Sequence, residues 1–304
     1  MQKKVAISIG DINGIGIQLA LQNHQKVSKI CSPIYCIDKK LLQTASKKLS
    51  IKIPKDFIVS GDYKKTKITA GKVKKDSGQF SYDSFLHAIH LAKKKKVDAI
   101  CTLPINKEAW NKAKIHFVGH TDMLRDIFQE DAIMMLGCEE MFVALFTEHI
   151  PLKKVAKQLT LKKLTNFLID FVNDIDIEKN TSIGVLGLNP HAGDNGVLGD
   201  EETIIKKAIK KATKVTKQKF DLLVPDIAFT PHIRKQYQYF CAMYHDQGLA
   251  PLKALHFEES INVSLNLPIK RTSVDHGTAF DRAYRIKNIL SNKSYINAIK
   301  AAIK

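Results

Sequence analysis

The sequence predicts an α/β protein built on a mainly parallel sheet. Short apolar runs alternate with amphipathic helical stretches along the whole chain, the pattern of βα units. Polar clusters containing glycine or histidine follow many of those runs, which is where open α/β sheets place ligands. No run approaches the roughly 18 apolar residues of a membrane helix.

Taken in order, Val5–Ile9 reads as a first buried strand, since it is too short for a signal-peptide core. Ile15–Gln22 is the helix after a glycine-rich turn. Ile34–Ile37 and Phe57–Val59 read as short strands, Ser81–Lys95 as a helix, and Val97–Thr102 as a strand ending in the loop LPINK. Ile133–Leu136 and Phe142–Phe146 are two more strands. Between Thr160 and Ile175, Leu161, Leu164, Phe167, Leu168, Phe171 and Val172 share one helical face, a core face. Ile183–Leu188 is a strand followed by NPHAGDNG. Acidic residues crowd the start of the next helix, which Asp200 or a neighbour caps and which runs to about Lys211. Cys241–Tyr244 is a strand ending in HDQG, and Val263–Leu267 is another. The polar stretch Lys64–Gly78 reads as a surface loop.

At 304 residues the chain is long enough for one large α/β unit or two lobes. Hydrophobic residues are 44% and charged residues 26%, an ordinary globular balance that excludes disorder. Five scattered cysteines without a CxxC pair read as reduced core thiols in a cytoplasmic protein. The formal charge of +18 raises nucleic-acid binding. The lysines are dispersed, however, and the run Lys93–Lys96 ends a helix, where cations favour the dipole. A single Trp and no aromatic-interleaved basic tract leave no stacking platform. A lysine-rich solvated surface is the better reading, with no nucleic acid and no membrane as partner.

Five clusters carry the chemistry: GDINGIG (10–16), GHTD (119–122), TEHIP (147–151), NPHAGDNG (189–196) and MYHDQG (243–248). Three of them hold His149, His191 and His245. Imidazole ligates zinc and related divalent ions, and catalytic sites use three protein ligands with one position open. No pair has helical spacing, so only the fold or a second subunit could bring them together. GDINGIG is either a backbone cradle for phosphate or a tight turn needing glycine for positive φ. It is not the GxGxxG dinucleotide fingerprint. Lys253, Asn262 and Arg271 could hold an anionic substrate, arginine through a bidentate fork. In SVDHGTA, small residues enclose His276, as either a capped helix start or a cofactor contact.

GLNPHAGDNGVLGDEE, CAMYHDQGLAPLK and LPIKRTSVDHGTAFDRA, with GHTD and TEHIPL upstream, closely resemble the 4-hydroxythreonine-4-phosphate dehydrogenase family of vitamin B6 biosynthesis. The similarity runs from GDINGIG to the DHGTA region. In SIGDINGIGIQ, Asn13 stands where that family usually has proline or alanine.

The resemblance implies an isocitrate/isopropylmalate-dehydrogenase-like fold, with two α/β/α lobes in a homodimer and active sites at the subunit interface. The first lobe would comprise 1–115 with 268–304, the second 116–267. It implies one divalent metal (zinc, magnesium or cobalt) on His149, His191 and His245, drawn from both subunits. Substrate contacts would fall on His120, Thr121, Lys253, Asn262 and Arg271, and NAD or NADP would meet His276, Gly277 and Thr278. The implied reaction oxidises a phosphorylated hydroxy-amino acid and decarboxylates the product. Asp226 and Asp246 are the candidates for proton transfer or for support of a ligand. A sister enzyme acting on 4-phospho-threonate or 4-phospho-erythronate would use the same histidines.

Overall fold

The computed structural model describes residues 2–178, 180–285 and 290–304. The chain forms two compact units, Met1–Glu130 with Ile261–Val263 and Leu267–Lys304, and Asp131–Ser260 with Ser264–Asn266.

In the first unit the chain runs β1 (Lys4–Ser8), α1 (Gly16–Ser28), β2 (Ser32–Cys36), α2 (Lys39–Leu49), α3 (Lys75–Lys93), β3 (Ala99–Thr102), α4 (Lys107–Lys112) and α5 (His120–Phe128). In the second it continues through β4 (Ile133–Cys138), β5 (Met141–Leu145), α6 (Val155–Gln158), α7 (Leu161–Asp174), β6 (Ser182–Leu186), α8 (Glu201–Thr216), β7 (Lys219–Leu223), α9 (Pro225–Ala228), α10 (Pro231–Arg234), β8 (Tyr239–Ala242) and α11 (His245–His256). Strand β9 (Ile261–Leu265) has residues in both units, and β10 (Lys270–Val274) and α12 (Lys293–Ile303) return to the first.

The first unit's strands lie in the order β2-β1-β3-β10, every pair parallel. Strands buried on both faces read as continuous apolar runs, and Val5, Ala6 and Ile7 are fully buried. The second unit's order is β4-β5-β8-β6-β7, parallel except for the β4–β5 hairpin. The expected α/β class with a mainly parallel sheet is therefore what the chain adopts.

Three expectations change. Residues 116–130 belong to the first unit rather than the second lobe, because α5 packs Met123 and Leu124 into a core with Phe85 and Trp110. Residues 57–59 form no strand. Val59 makes only an isolated bridge to Tyr35, whose amide donates to the Ile58 carbonyl and whose carbonyl accepts from the Ser60 amide, both at 2.9 Å, while the Phe57 ring stacks on the Tyr35 ring at 3.8 Å. Lys75–Gly78, read as loop, is the first turn of α3, and a Cβ on Gly78 would lie 2.1 Å from the Ala109 carbonyl oxygen. Helix α7 keeps its predicted face, with Leu164, Phe167, Leu168 and Phe171 buried and Thr160 accepting from the Lys163 amide. All five cysteines are buried and free, and no helix among the described residues is long and apolar enough to cross a membrane.

Candidate active site

The three histidine loops of the second unit leave neighbouring strands. β5, β8 and β6 are adjacent and parallel, so the segments after their carboxyl ends emerge on one edge. Hydrogen bonds stitch these segments together. Thr147 Oγ1 donates to the Met243 carbonyl at 2.7 Å, joining the loop after β5 to the one after β8. Gln247 accepts from the Met243 amide at 2.7 Å and donates to the Gly187 carbonyl at 2.6 Å, joining the loop after β8 to the one after β6. The His149 and His245 rings lie 5.5 Å apart between centroids. His245 opens α11, and its Nδ1 is 2.6 Å from Asp246 Oδ1. That contact places a proton on Nδ1, so that Nε2 is the nitrogen a metal would use, the usual carboxylate–histidine arrangement.

His191 sits in an unusual backbone. His191, Ala192, Gly193, Asp194 and Asn195 all have left-handed φ values, between 41° and 78°. Each non-glycine residue in that region costs about 1–2 kcal/mol, so the surrounding structure must hold it. Glu202, 4% exposed in the first turn of α8, does so. Its Oε1 accepts from the Leu188 and Asn189 amides, both at 2.8 Å, and its Oε2 from the Asn189 side chain at 2.9 Å. Gly193 is required here, because its φ is +78° and a Cβ would lie 2.6 Å from Glu202 Oε2. Asp200 stands at the N-cap position of α8 without a side-chain capping bond, and the helix runs past Lys211 to Thr216. The acidic start of α8 thus serves the histidine loop more than the helix end. In sequence terms the only sign of this was the placement of Glu201 and Glu202 after NPHAGDNGVLGD.

Asp226, exposed on α9, lies on an element packed against the His191 segment. Lys253 lies on α11 eight residues after His245, about 12 Å along the axis, with its Nζ 5.5 Å from the Phe257 ring centroid.

The first unit gathers His120, Thr121, Asn262 and Arg271. Arg271, on β10, is 2% exposed. It donates to Thr102 Oγ1 at 2.7 Å, to His120 Nδ1 at 3.1 Å and to Asn262 Oδ1 at 3.4 Å. Burial lowers its pKa to about 10, so it stays cationic at neutral pH. His120 and Thr121 begin α5, 9% and 6% exposed, with the His120 ring edge-on to Phe85 at 4.5 Å. Burial, and then the neighbouring guanidinium, hold the His120 pKa well below its ordinary value. A guanidinium only donates, so Nδ1 accepts and the proton of the neutral ring sits on Nε2, a buried donor without a hydrogen-bond partner among the described residues. GHTD therefore opens a helix rather than following a strand.

GDINGIG resolves as a tight turn rather than a phosphate cradle. The amides of Asp11, Asn13, Gly14 and Ile15 donate to Pro104 O, Asp11 Oδ1, Asp11 O and Thr278 O, and all of residues 10–16 are buried. Gly10 has φ +70°, and a Cβ on it would lie 2.2 Å from the Pro104 carbonyl oxygen. Asn13, the departure from the family pattern, donates to Lys72 O and accepts from the Thr69 amide, pinning the loop before α3. In the DHGTA segment Thr278 is buried behind Gly14, Gly277 is exposed and His276 is half-buried, its Nδ1 3.1 Å from the Gly277 carbonyl.

Among the described residues of one chain, the three ligand groups near enough to share an ion are Cys138, Glu140 and His256, not the three histidines.

Known proteins place this architecture. The model of the family described as pyridoxal phosphate biosynthetic protein PdxA matches residues 29–302. A 4-hydroxythreonine-4-phosphate dehydrogenase of Sulfurimonas denitrificans is 60% identical over 99% of this chain and 97% of its own length. The enzyme of that name from Campylobacter fetus is 53% identical, with coverage of 99% and 97%. The crystal structure of a 4-hydroxythreonine-4-phosphate dehydrogenase from Klebsiella pneumoniae superposes with a TM-score of 0.80 at 28% identity, covering 98% of each chain. A matched family model over most of the chain, and relatives this similar along their full length, make the chain a member of the PdxA family of pyridoxal phosphate biosynthetic proteins.

Proposed function

We propose that this protein oxidises 4-phosphooxy-L-threonine with NAD or NADP to a 3-oxo acid that decarboxylates to 3-amino-2-oxopropyl phosphate, in pyridoxine 5'-phosphate biosynthesis. The observation that carries the proposal is the meeting of the loops after β5, β8 and β6 on one edge, cross-tied by Thr147 and Gln247, with the His149 and His245 rings 5.5 Å apart. Imidazoles, one of them beside the Asp246 carboxylate, are a donor set that suits zinc or cobalt.

When bound, a divalent metal supplies Lewis acidity toward the substrate hydroxyl and the new carbonyl, and a nicotinamide accepts the hydride. The chain's residues do the rest. His149, His191 and His245 hold the metal, and Asp246 sets the tautomer of His245. Arg271 binds an anionic oxygen of the substrate with its guanidinium already oriented by Thr102, Asn262 and His120, so little ordering entropy remains to be lost. His120 offers its Nε2 proton and Thr121 its hydroxyl to the same substrate. Lys253 and Asn262 complete the polar contacts, and His276, Gly277 and Thr278 meet the dinucleotide. Asp226 is the candidate for moving a proton.

A homodimer supplies the remaining ligands. The support is a set of large exposed apolar residues beside the histidine loops, Ile150, Leu152, Val197 and Leu198, more than a surface loop ordinarily shows to water. Five buried free thiols suit the cytoplasm.

Purified enzyme is assayed with 4-phosphooxy-L-threonine, 4-phospho-threonate and 4-phospho-erythronate, each nucleotide and each metal after chelation. His191→Ala is expected to abolish metal-dependent turnover with the fold intact; wild-type turnover in that variant overturns the metal assignment. Faster turnover of 4-phospho-threonate or 4-phospho-erythronate would overturn the substrate assignment alone.

A further inference from the structure

We propose that Cys138, Glu140 and His256 form a binding site for a thiophilic divalent cation of the zinc class, using none of the histidines assigned above. One ligand atom from each residue lies within 4.8 Å of the other two. Cys138 Sγ is 2.8 Å from Glu140 Oε2. The elements presenting them are rigid. Cys138 ends β4 opposite Met141, Glu140 belongs to the two-residue turn of that hairpin, and His256 is the last residue of α11, which packs on β4. Preorganised ligands of this kind lose little entropy on binding a metal.

The chemistry of the three groups selects the ion. A thiolate, an imidazole and a carboxylate with one position left for water match a four-coordinate zinc site, whereas magnesium and calcium want oxygen alone. Thiolate and carboxylate together carry two negative charges, so a divalent cation leaves the site neutral. His256 Nε2 is buried and has no hydrogen-bond partner among the described residues, a cost that a metal–nitrogen bond removes. Cys138 is 3% exposed while Glu140 is open to solvent, so an ion enters past the carboxylate and reaches the sulfur last. Without metal the thiol stays protonated, because burial lifts its pKa to about 11. Binding exchanges the S–H bond for a metal–sulfur bond and releases that proton to solvent.

Full-length enzyme, stripped with a chelator, is titrated with cobalt(II) and followed by absorption. Thiolate-to-cobalt charge transfer gives a near-ultraviolet band that histidine ligands do not. The expected result is a band saturating at one cobalt per chain, retained in His149→Ala and His191→Ala and absent from Cys138→Ser. Glu140→Gln, at an exposed turn where folding is unaffected, should raise the cobalt concentration for half-saturation by at least the roughly 10–100-fold that losing even an outer partner costs. No band in the wild type, a band that survives in Cys138→Ser, or an unchanged half-saturation in Glu140→Gln overturns the site. Loss of turnover in the histidine variants with the band intact separates this site from the proposed catalytic metal.

Discussion

Replacing Glu202 with alanine should loosen the segment that carries His191 without unfolding the second unit. The carboxylate accepts from two backbone amides and one side-chain amide, all between 2.8 and 2.9 Å. Hydrogen bonds to a charged acceptor contribute about 1.5–3 kcal/mol each. Leu188 and Asn189 are only part-buried, so water takes over some of what is lost, and about 3 kcal/mol in all is a reasonable magnitude. At 1.4 kcal/mol per factor of ten, that is roughly a 100-fold rise in the local opening equilibrium. Native-state amide exchange read by mass spectrometry on the peptide covering residues 188–196 measures it directly, with a peptide from α3 as the control. Glu202→Gln should fall between the two, since one oxygen remains to accept while its new amide opposes the side chain of Asn189. Metal affinity should drop in the same order, because the strained turn no longer holds its imidazole in place. Unchanged protection of 188–196 in the alanine variant would refute the claim that this carboxylate sustains the left-handed run.

Burial lifts the Asp11 carboxyl from 3.8 to about 6, so the folded chain holds this proton more tightly than the unfolded one. Its contribution is therefore complete below about pH 4 and is lost as the pH rises to about 6, at most about 3 kcal/mol. Asp11→Asn should flatten the urea midpoint across that window, and an unchanged slope would count against the assignment. His120 should remain neutral with its proton on Nε2 at neutral pH, because burial and then the Arg271 guanidinium hold its pKa well below the ordinary value; an imidazole nitrogen resonance that titrates like that of an ordinary exposed histidine would contradict the packing described. Asp246→Asn is expected to weaken the catalytic metal about 10–100-fold, read by competition with a chromogenic chelator, and equal affinity would remove the carboxylate from its orienting role. Arg271→Lys should raise KM for the phosphorylated substrate about tenfold or more, since a point charge replaces a fork; an unchanged KM would place the substrate's anionic group elsewhere.

Much of the fold was legible because buried parallel strands announce themselves. Read from apolarity alone, Val5–Ile9 and Ile133–Leu136 fall on β1 and β4, whereas Cys241–Tyr244 overlaps β8 (Tyr239–Ala242) only at Cys241 and Ala242; the α7 face follows from the spacing of Leu164, Phe167, Leu168 and Phe171. Phe57–Val59 misled for the same reason, since Phe57 alone is buried, by stacking on Tyr35, while Ile58 is exposed and the segment makes only an isolated bridge to β2. The short helices α4, α9 and α10 gave no periodic signal in four to six residues. The histidines could be named from their motifs, but nothing in their spacing says that Gln247 and Thr147 tie their loops together, because those bonds span 60 and 96 residues. Glu202 was likewise invisible as a support, since an acidic residue in a first helical turn normally answers to the helix dipole.

The first unit's cluster argues for the charge state of its ligand. Arg271 can only donate, and by donating to His120 Nδ1 it forces the ring to present an N–H on its other side. Protonating His120 would take the acceptor away from the guanidinium and set two cations side by side in a buried site, which is why burial and the arginine together depress its pKa. Guanidinium and imidazole therefore act as donors toward whatever binds, with one net positive charge between them. A phosphate or carboxylate, rich in acceptors and ionised at neutral pH, satisfies such a cluster. An alcohol or amide of the same shape keeps an acceptor oxygen, but it also brings a donor that meets donors and lacks the negative charge that strengthens a guanidinium hydrogen bond. An uncharged amide analogue of the substrate acid should thus bind far more weakly than its loss of a single contact would suggest, and comparable affinity for the two would show that the guanidinium does not face the ligand at all.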